Sequence, residues 1–302
     1  MREIVVAIKV DVDTDRGTRI GVPNLLALLG EFGIRATFLF SLGPDNTGRA
    51  IKRVFHPGFL QKVRRTNVAQ VYGLRTLLNG VLLPGPHIAR RNAAIMRATR
   101  DSGHEVGIHC YDHVRWQDGL AHMTRAQVTA EFGKARREFE RVFREPAATA
   151  GAAGWQANGD SLAAYDDASL LYASDTRGTH AFYPRVDSVV YRTLQIPTTL
   201  PTLDELLGRP EYPESRLADH YLSLLVPDRL NVLTIHAEIE GMAKMAIFRE
   251  LVIRATQVPV RFTRLGDCAR ELLRANTAIP VCDLVEGVVD GRSGTLALQR
   301  CR

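Results

Sequence analysis

The hydrophobic pattern opens on an apolar run, Ile4 to Val10, in which Val5, Val6, Ile8 and Val10 are β-branched and nearly continuous. Such a run predicts a short buried strand. Pro23 then stands where a helix would begin, and Leu25, Leu26, Leu28, Leu29 and Phe32 supply its apolar face. Gly33 is placed to end it in the left-handed conformation, and Ala36 to Phe40 reads as a second buried strand. The natural geometry of this strand–helix–strand unit is parallel, with a right-handed crossover.

The rhythm is interrupted at about residues 44–91 and resumes with a helix from about Asn92, stopped at Gly103, and a strand over Glu105 to His109. Thr124 and Gln127 form a capping box that opens a long helix running to about Phe143, ahead of Pro146. A strand over Ala147 to Ala152, a helix near Ser161 to Leu170 and a short strand over Leu171 to Ala173 follow. Residues 178–230 are punctuated by Pro184, Pro197, Pro201, Pro210, Pro213 and Pro227 and read as less regular. Asn231 to Ile235 is a further strand ending on His236, then a helix over Met242 to Thr256, a strand over Val258 to Phe262 and a helix over Leu265 to Ala275. The pattern leaves the structure of the tail after Asn276 open.

Composition adds little until the charge is mapped. At 302 residues, 45% hydrophobic and 24% charged, the chain has the make-up of a soluble globular protein. No basic-then-apolar leader is recognisable and no window is apolar enough to span a bilayer, so neither a secretory signal nor a transmembrane helix is expected. Cys110, Cys268, Cys282 and Cys301 show no paired spacing, which suits a reducing compartment. The net charge of +6 is concentrated: between Asp45 and Asp101 lie 11 Lys and Arg and no acid, leaving 28 basic against 33 acidic residues elsewhere.

That basic segment interleaves Ile51, Val54, Phe55, Phe59, Leu60, Val71, Tyr72, Leu74, Leu77, Leu78, Val81, Leu82 and Leu83 with its cations. Basic amphipathic helices bind anionic membrane surfaces. An ordinary insertion packed on the body is the competing reading. Nucleic acid is disfavoured, because Phe55, Phe59 and Tyr72 are the segment's only stacking groups and no binding motif is present.

The candidate chemistry gathers just after predicted strands: Asp11 and Asp13, His109 and His113, Asp175, and His236 with Glu238. In a (β/α) barrel those ends open onto one face, where active sites are built. Two carboxylates turned into one cavity repel unless a cation or a proton is shared. On one helical turn the imidazoles of His109 and His113 would point the same way and ligate one divalent ion. With a carboxylate from another strand end they make a His-His-Asp set with open positions, suited to zinc, manganese or cobalt. Amide hydrolysis at such a site also needs a base and an acid, for which Asp11 and His236 are the candidates.

The ordered motifs Lys9-Val10-Asp11-Val12-Asp13-Thr14, Gly103-His104-Glu105-Val106-Gly107-Ile108-His109, Ala152-Ala153-Gly154-Trp155 and Ile235-His236-Ala237-Glu238 resemble the polysaccharide deacetylase (NodB-homology) superfamily. Within it they are most similar to the undecaprenyl-phosphate formamido-arabinose deformylases. The resemblance implies an α/β fold, a distorted (β/α) barrel over residues 1–276 with a basic helical insertion at about 44–91, and a tail at 277–302. It implies Asp11 as general base, Asp13, His109 and His113 as ligands of one divalent metal ion, His236 as general acid and Asp175 as the residue orienting it. Trp155 would wall the groove, with Glu238 and Arg177 also at the substrate. The implied substrate is 4-deoxy-4-formamido-L-arabinose on undecaprenyl phosphate, deformylated in lipid A modification and cationic-peptide resistance. Its phosphate would meet Arg64, Arg65 or Arg75 where the insertion docks on the anionic cytoplasmic face of the bacterial inner membrane. The sequence departs from the broad family in lacking an arginine in the loop at Ala152–Trp155, which leaves Arg177 or Lys9 to position the catalytic Asp. Two other readings stay open: a deacetylase of another N-acyl sugar, and an inactive lipid-binding barrel.

Overall fold

A computed structural model describes residues 3–50, 74–275 and 278–301, with the side chains of residues 74 and 75 outside the description. Its main sheet is parallel and curled into an incomplete barrel. The eight strands are β1 (Ile4–Val12), β2 (Thr37–Ser41), β3 (Glu105–Cys110), β4 (Thr149–Ala150), β5 (Tyr172–Ala173), β8 (Leu194–Gln195), β9 (Leu230–His236) and β10 (Val260–Thr263). β1 is the hub. β9 runs along one of its edges from Val5 to Asp11, while the other edge is shared between β10 at Ile4–Ala7 and β2 at Lys9–Val12. From β2 the order continues through β3, β4 and β5 to β8. The gap between β8 and β9 is bridged by irregular chain, with the backbone N–H groups of Thr199 and Leu200 both donating to Val232 O.

Strand alternation explains how one short strand serves both core and chemistry. Ile8, Val10 and Val12 of β1 belong to the large core cluster formed with Val22, Leu25, Phe38 and Phe40. The intervening residues face inward. Ala7 joins Tyr172, Leu194, Ile196 and Val232 in a separate apolar cluster, closed by Leu265 and Ala269 of the last helix (Leu265–Arg274). Above that apolar floor the same face carries Lys9, then Asp11, then Asp13 at the mouth.

The expected helix stops are in place: Pro23 sits in the first turn of the helix Val22–Glu31, and Gly33 and Gly103 take positive φ angles of 65° and 84°. Thr124 and Gln127 form both arms of the capping box of the helix Arg125–Phe143. Among the boundaries that differ from expectation, two have a visible cause. The helix expected from Asn92 begins at Ile88, and its geometry breaks at Asn92, whose side-chain amide turns to donate to Asp15 Oδ1 and Ile88 O. The strand expected over Ala147 to Ala152 shrinks to Thr149–Ala150, because the Ala152 N–H leaves the ladder for the carboxylate of Asp175.

Residues 178–230 and the tail hold a second sheet. β6 (Tyr183–Val186) and β7 (Val189–Val190) form a hairpin, and the tail adds β11 (Val281–Gly287) and β12 (Leu296–Arg300), in the order β12–β11–β6–β7. Cys282 and Cys301 are joined as a disulfide, a correction to the unpaired cysteines expected; Cys110 and Cys268 are free and buried. Among the described residues no helix is long and apolar enough to cross a membrane.

Candidate active site

Parallel register sets the first pair: Asp11 on β1 lies directly abreast of His236 on β9. Both sit at the carboxyl ends of their strands, the end at which barrel enzymes build their sites. Asp11 Oδ2 lies 3.4 Å from Lys9 Nζ, and both side chains are almost wholly buried. Lys9 Nζ also donates to Ser174 O at 3.1 Å and lies 5.2 Å from the centre of the Trp155 ring. Of the two residues left to position the base, Lys9 is therefore the one at Asp11. Arg177 is turned away. Its guanidinium holds Glu205 Oε1 at 2.5 Å and Leu200 O at 3.1 Å and lies 5.6 Å from the Trp155 ring, a scaffold position and not the substrate contact expected.

Asp13 and the two histidines converge. Asp13 Oδ1 lies 3.2 Å from His109 Nε2 and 3.4 Å from His113 Nε2, and the three donor atoms lie within 4.8 Å of one another. The route differs from the single helical turn expected. His109 belongs to β3, whereas His113 opens the helix His113–Gly119. Asp112 caps that helix by accepting from Arg115 N at 3.0 Å, and Asn46 Nδ2 donates to its other oxygen at 2.6 Å. The cap thus sets where His113 points. His109 Nδ1 is 2.6 Å from Gly151 O, so it carries the proton and leaves Nε2 free as a ligand. Burial pushes the Asp13 carboxyl up, but His113 and His109 outweigh it and hold the group well below the usual carboxylate range. Burial lowers His109, and the flanking Asp11 and Asp13 reverse that and raise it.

The remaining expected residues take other posts. Glu238 is buried, and its Oε1 accepts from Asp13 N at 3.1 Å, Thr14 N at 2.9 Å and Thr14 Oγ1 at 2.7 Å. It clamps the loop that presents Asp13, where substrate contact was expected. Gly17 follows from this clamp, since a Cβ there would sit 1.9 Å from Glu238 Oε1. Asp175 does not reach His236: its oxygens accept from Ala152 N at 2.6 Å and Gln195 Nε2 at 2.8 Å, and burial pushes it up to about 6. It holds the loop bearing Trp155, and His236 Nδ1 is buried with no hydrogen-bond partner. Trp155, 2% exposed, supports the site more than it walls it; its Nε1 donates to Thr198 Oγ1 at 3.1 Å and its ring meets His236 edge-on at 6.3 Å. Arg64 and Arg65 lie outside the described residues, as does the side chain of Arg75.

Sequence reasoning passed over three contributors. Glu240 Oε2 accepts from His236 N at 2.8 Å, and burial raises that carboxyl to about 8. Its place four residues after His236 is a signal that could have found it. Gln195, which holds Asp175, and Arg292, whose guanidinium lies 4.4 Å from the Trp155 ring, carry no local signal.

A curled parallel half-barrel with Asp, His and His grouped at the carboxyl ends of its strands defines a polysaccharide-deacetylase-type hydrolase scaffold, and the chain belongs to the polysaccharide deacetylase family, whose model matches residues 3–172. It is 38% identical over 294 residues to a probable 4-deoxy-4-formamido-L-arabinose-phosphoundecaprenol deformylase of Shewanella sediminis, covering 97% of this chain and 94% of that one. A protein of the same description from Wigglesworthia glossinidia brevipalpis is 32% identical over 289 residues, covering 94% and 98%. Among solved structures, a putative polysaccharide deacetylase from Mycobacterium smegmatis superposes with a TM-score of 0.64 at 16% identity, covering 92% and 93% of the two chains. At that identity the likeness shows the fold.

Proposed function

We propose that the protein is a metal-dependent deformylase that hydrolyses the formamide of undecaprenyl-phosphate-linked 4-deoxy-4-formamido-L-arabinose, releasing formate and the free 4-amino sugar. The observation that carries this reading is the close grouping of Asp13, His109 and His113 beside the Lys9–Asp11 pair and opposite His236. Two relatives described as probable deformylases of that lipid-linked sugar, similar along nearly the whole chain, support the substrate. In this reading the product would serve lipid A modification and resistance to cationic peptides such as polymyxin.

The residues fit a divalent cation. Asp13 Oδ1 is buried without a hydrogen-bond partner, two imidazole nitrogens face it, and His109 is locked in the tautomer that offers Nε2. When bound, such an ion lowers the pKa of its water and polarises the amide carbonyl. The rest falls to the chain. Lys9, 3.4 Å from Asp11 in a buried setting, holds its carboxylate in place, and Asp11 takes a proton from the attacking water. His236, abreast of it on β9, gives a proton to the departing amine nitrogen. Water adds across the C–N bond, giving formate and the amine.

The same reading places the protein peripherally on the cytoplasmic face of the inner membrane. Support comes from the described part of the basic segment, where Leu78, Val81, Leu82 and Leu83 cluster exposed around a turn beside exposed Arg49. The deciding experiment is formate detection on the formamido-arabinose lipid, with and without a chelator. Formate is expected from the metal-loaded protein and not after chelation or in the Asp11→Asn variant. Acetate released from N-acetyl sugars without any formate would shift the reading to a deacetylase. Substrate binding with neither product would reduce the protein to a binding barrel.

A further inference from the structure

A second group of metal-binding side chains lies in the second sheet, on residues with no part in the deformylase site. The antiparallel register that sets Asp283 opposite Arg300 makes Cys282 and Cys301 the next pair across the hairpin. His180 reaches both sulfurs: its Nε2 lies 3.5 Å from Cys301 Sγ and 4.0 Å from Cys282 Sγ. The imidazole is also held in place. Its Nδ1 faces Thr179 Oγ1 at 2.9 Å, and Gln299 brackets its backbone, donating to His180 O at 3.0 Å and accepting from His180 N at 3.4 Å. A disulfide offers a ring nitrogen only weak acceptors, whereas two thiolates and an imidazole are a ligand set for a soft cation.

We propose that reduction of the Cys282–Cys301 disulfide opens a His180-Cys282-Cys301 site for a thiophilic divalent cation of the zinc type. A dithiol supplies two electrons and two protons, is itself oxidised to a disulfide, and leaves two cysteine thiols; the cation then displaces both thiol protons. The spacing suits this. Zinc–sulfur and zinc–nitrogen bonds of about 2.3 and 2.0–2.1 Å in a tetrahedron set sulfur and nitrogen about 3.6 Å apart, and the two sulfurs about 3.8 Å apart. Both nitrogen–sulfur separations already stand near that value, so metal entry requires the sulfurs alone to move apart. Cys301 and His180 are exposed, which gives reductant and cation a way in, while Cys282 is buried at the inner side of the group. The donor set of two sulfurs and one nitrogen differs from the oxygen and two nitrogens of the Asp13 site, so thiolate spectroscopy separates the two.

The test is a cobalt(II) titration of the full chain, reduced with a dithiol and freed of the excess without air, and followed by thiolate-to-cobalt charge-transfer absorption in the near ultraviolet. The reduced wild type should develop the band within two equivalents, one for this site and one for the Asp13 site, and the oxidised protein should show none. Cys301→Ser and His180→Ala should each bind at least about tenfold more weakly, with the folded circular dichroism signature retained. Absence of the band in the reduced wild type overturns the proposal. A band undiminished in Cys301→Ser overturns it equally, because the thiolate ligation would then not need Cys301.

Discussion

Lys9 and Asp11 stand two residues apart on the inward face of one strand, both almost wholly out of water and 3.4 Å apart. Neither charge is affordable there alone, because removing one partner of a buried pair typically costs about 3–5 kcal/mol. Lys9→Met should therefore destabilise the protein by about that amount, and the double variant Lys9→Met/Asp11→Asn should recover much of the loss. Denaturant midpoints of the two single variants and the double one decide it; a double variant no more stable than Lys9→Met would show that the pairing is not the cause. Much at this scale could be read from the order of residues alone. Asp11, Asp13, His109, His113 and His236 each follow an apolar run, and strand ends of parallel barrels share a face. Side-chain partners reached across the fold were not readable. Asp175 looked like a partner for His236, but its hydrogen bonds go to Ala152 and to Gln195, a residue with no motif around it. Glu238 likewise turned back to clamp the Asp13 loop.

At the scale of elements, the junction between β3 and the helix His113–Gly119 decides whether a metal can be held. The two histidines reach one point because the chain leaves an extended strand and enters a helix between them, and Asp112 fixes the entry angle as the cap. Asp112→Ala should cost about 0.5–2 kcal/mol of stability through the lost cap. It should also weaken metal binding by about 10–100-fold, as loss of an outer support typically does. Competition with a chelating dye measures the affinity; unchanged affinity in a destabilised variant would show that the cap serves the helix alone. Helices and strands with strong local punctuation, such as Pro23, Gly33, Gly103 and the Thr124–Gln127 box, were legible to within a few residues. The tail was not. β11 is held by pairing with Tyr183, Pro184 and Arg185 and by β12, and local periodicity carries no information about a partner so distant in the chain.

For the molecule as a whole, the proposed membrane docking rests on the exposed apolar turn at Leu78–Leu83. Leu82 is 75% exposed and Val81 53%, a large apolar offering to place in water without a use. If the turn enters the headgroup region, Leu82→Asp should reduce flotation with vesicles containing anionic lipid and leave turnover of a water-soluble, short-chain substrate intact. Equal flotation of variant and wild type would sink membrane docking through this turn. The position of β1 has a different consequence, one of timing. The hub strand β1 is synthesised ahead of the other described strands, yet its long edge belongs to β9, and the loop carrying Asp13 is clamped by Glu238, 225 residues later. Contacts so distant close slowly and leave an apolar strand edge waiting. While the residues between them are made, the nascent chain therefore carries its central strand unguarded and no assembled active site, so chaperone demand during translation should fall on β1 and end when β9 emerges.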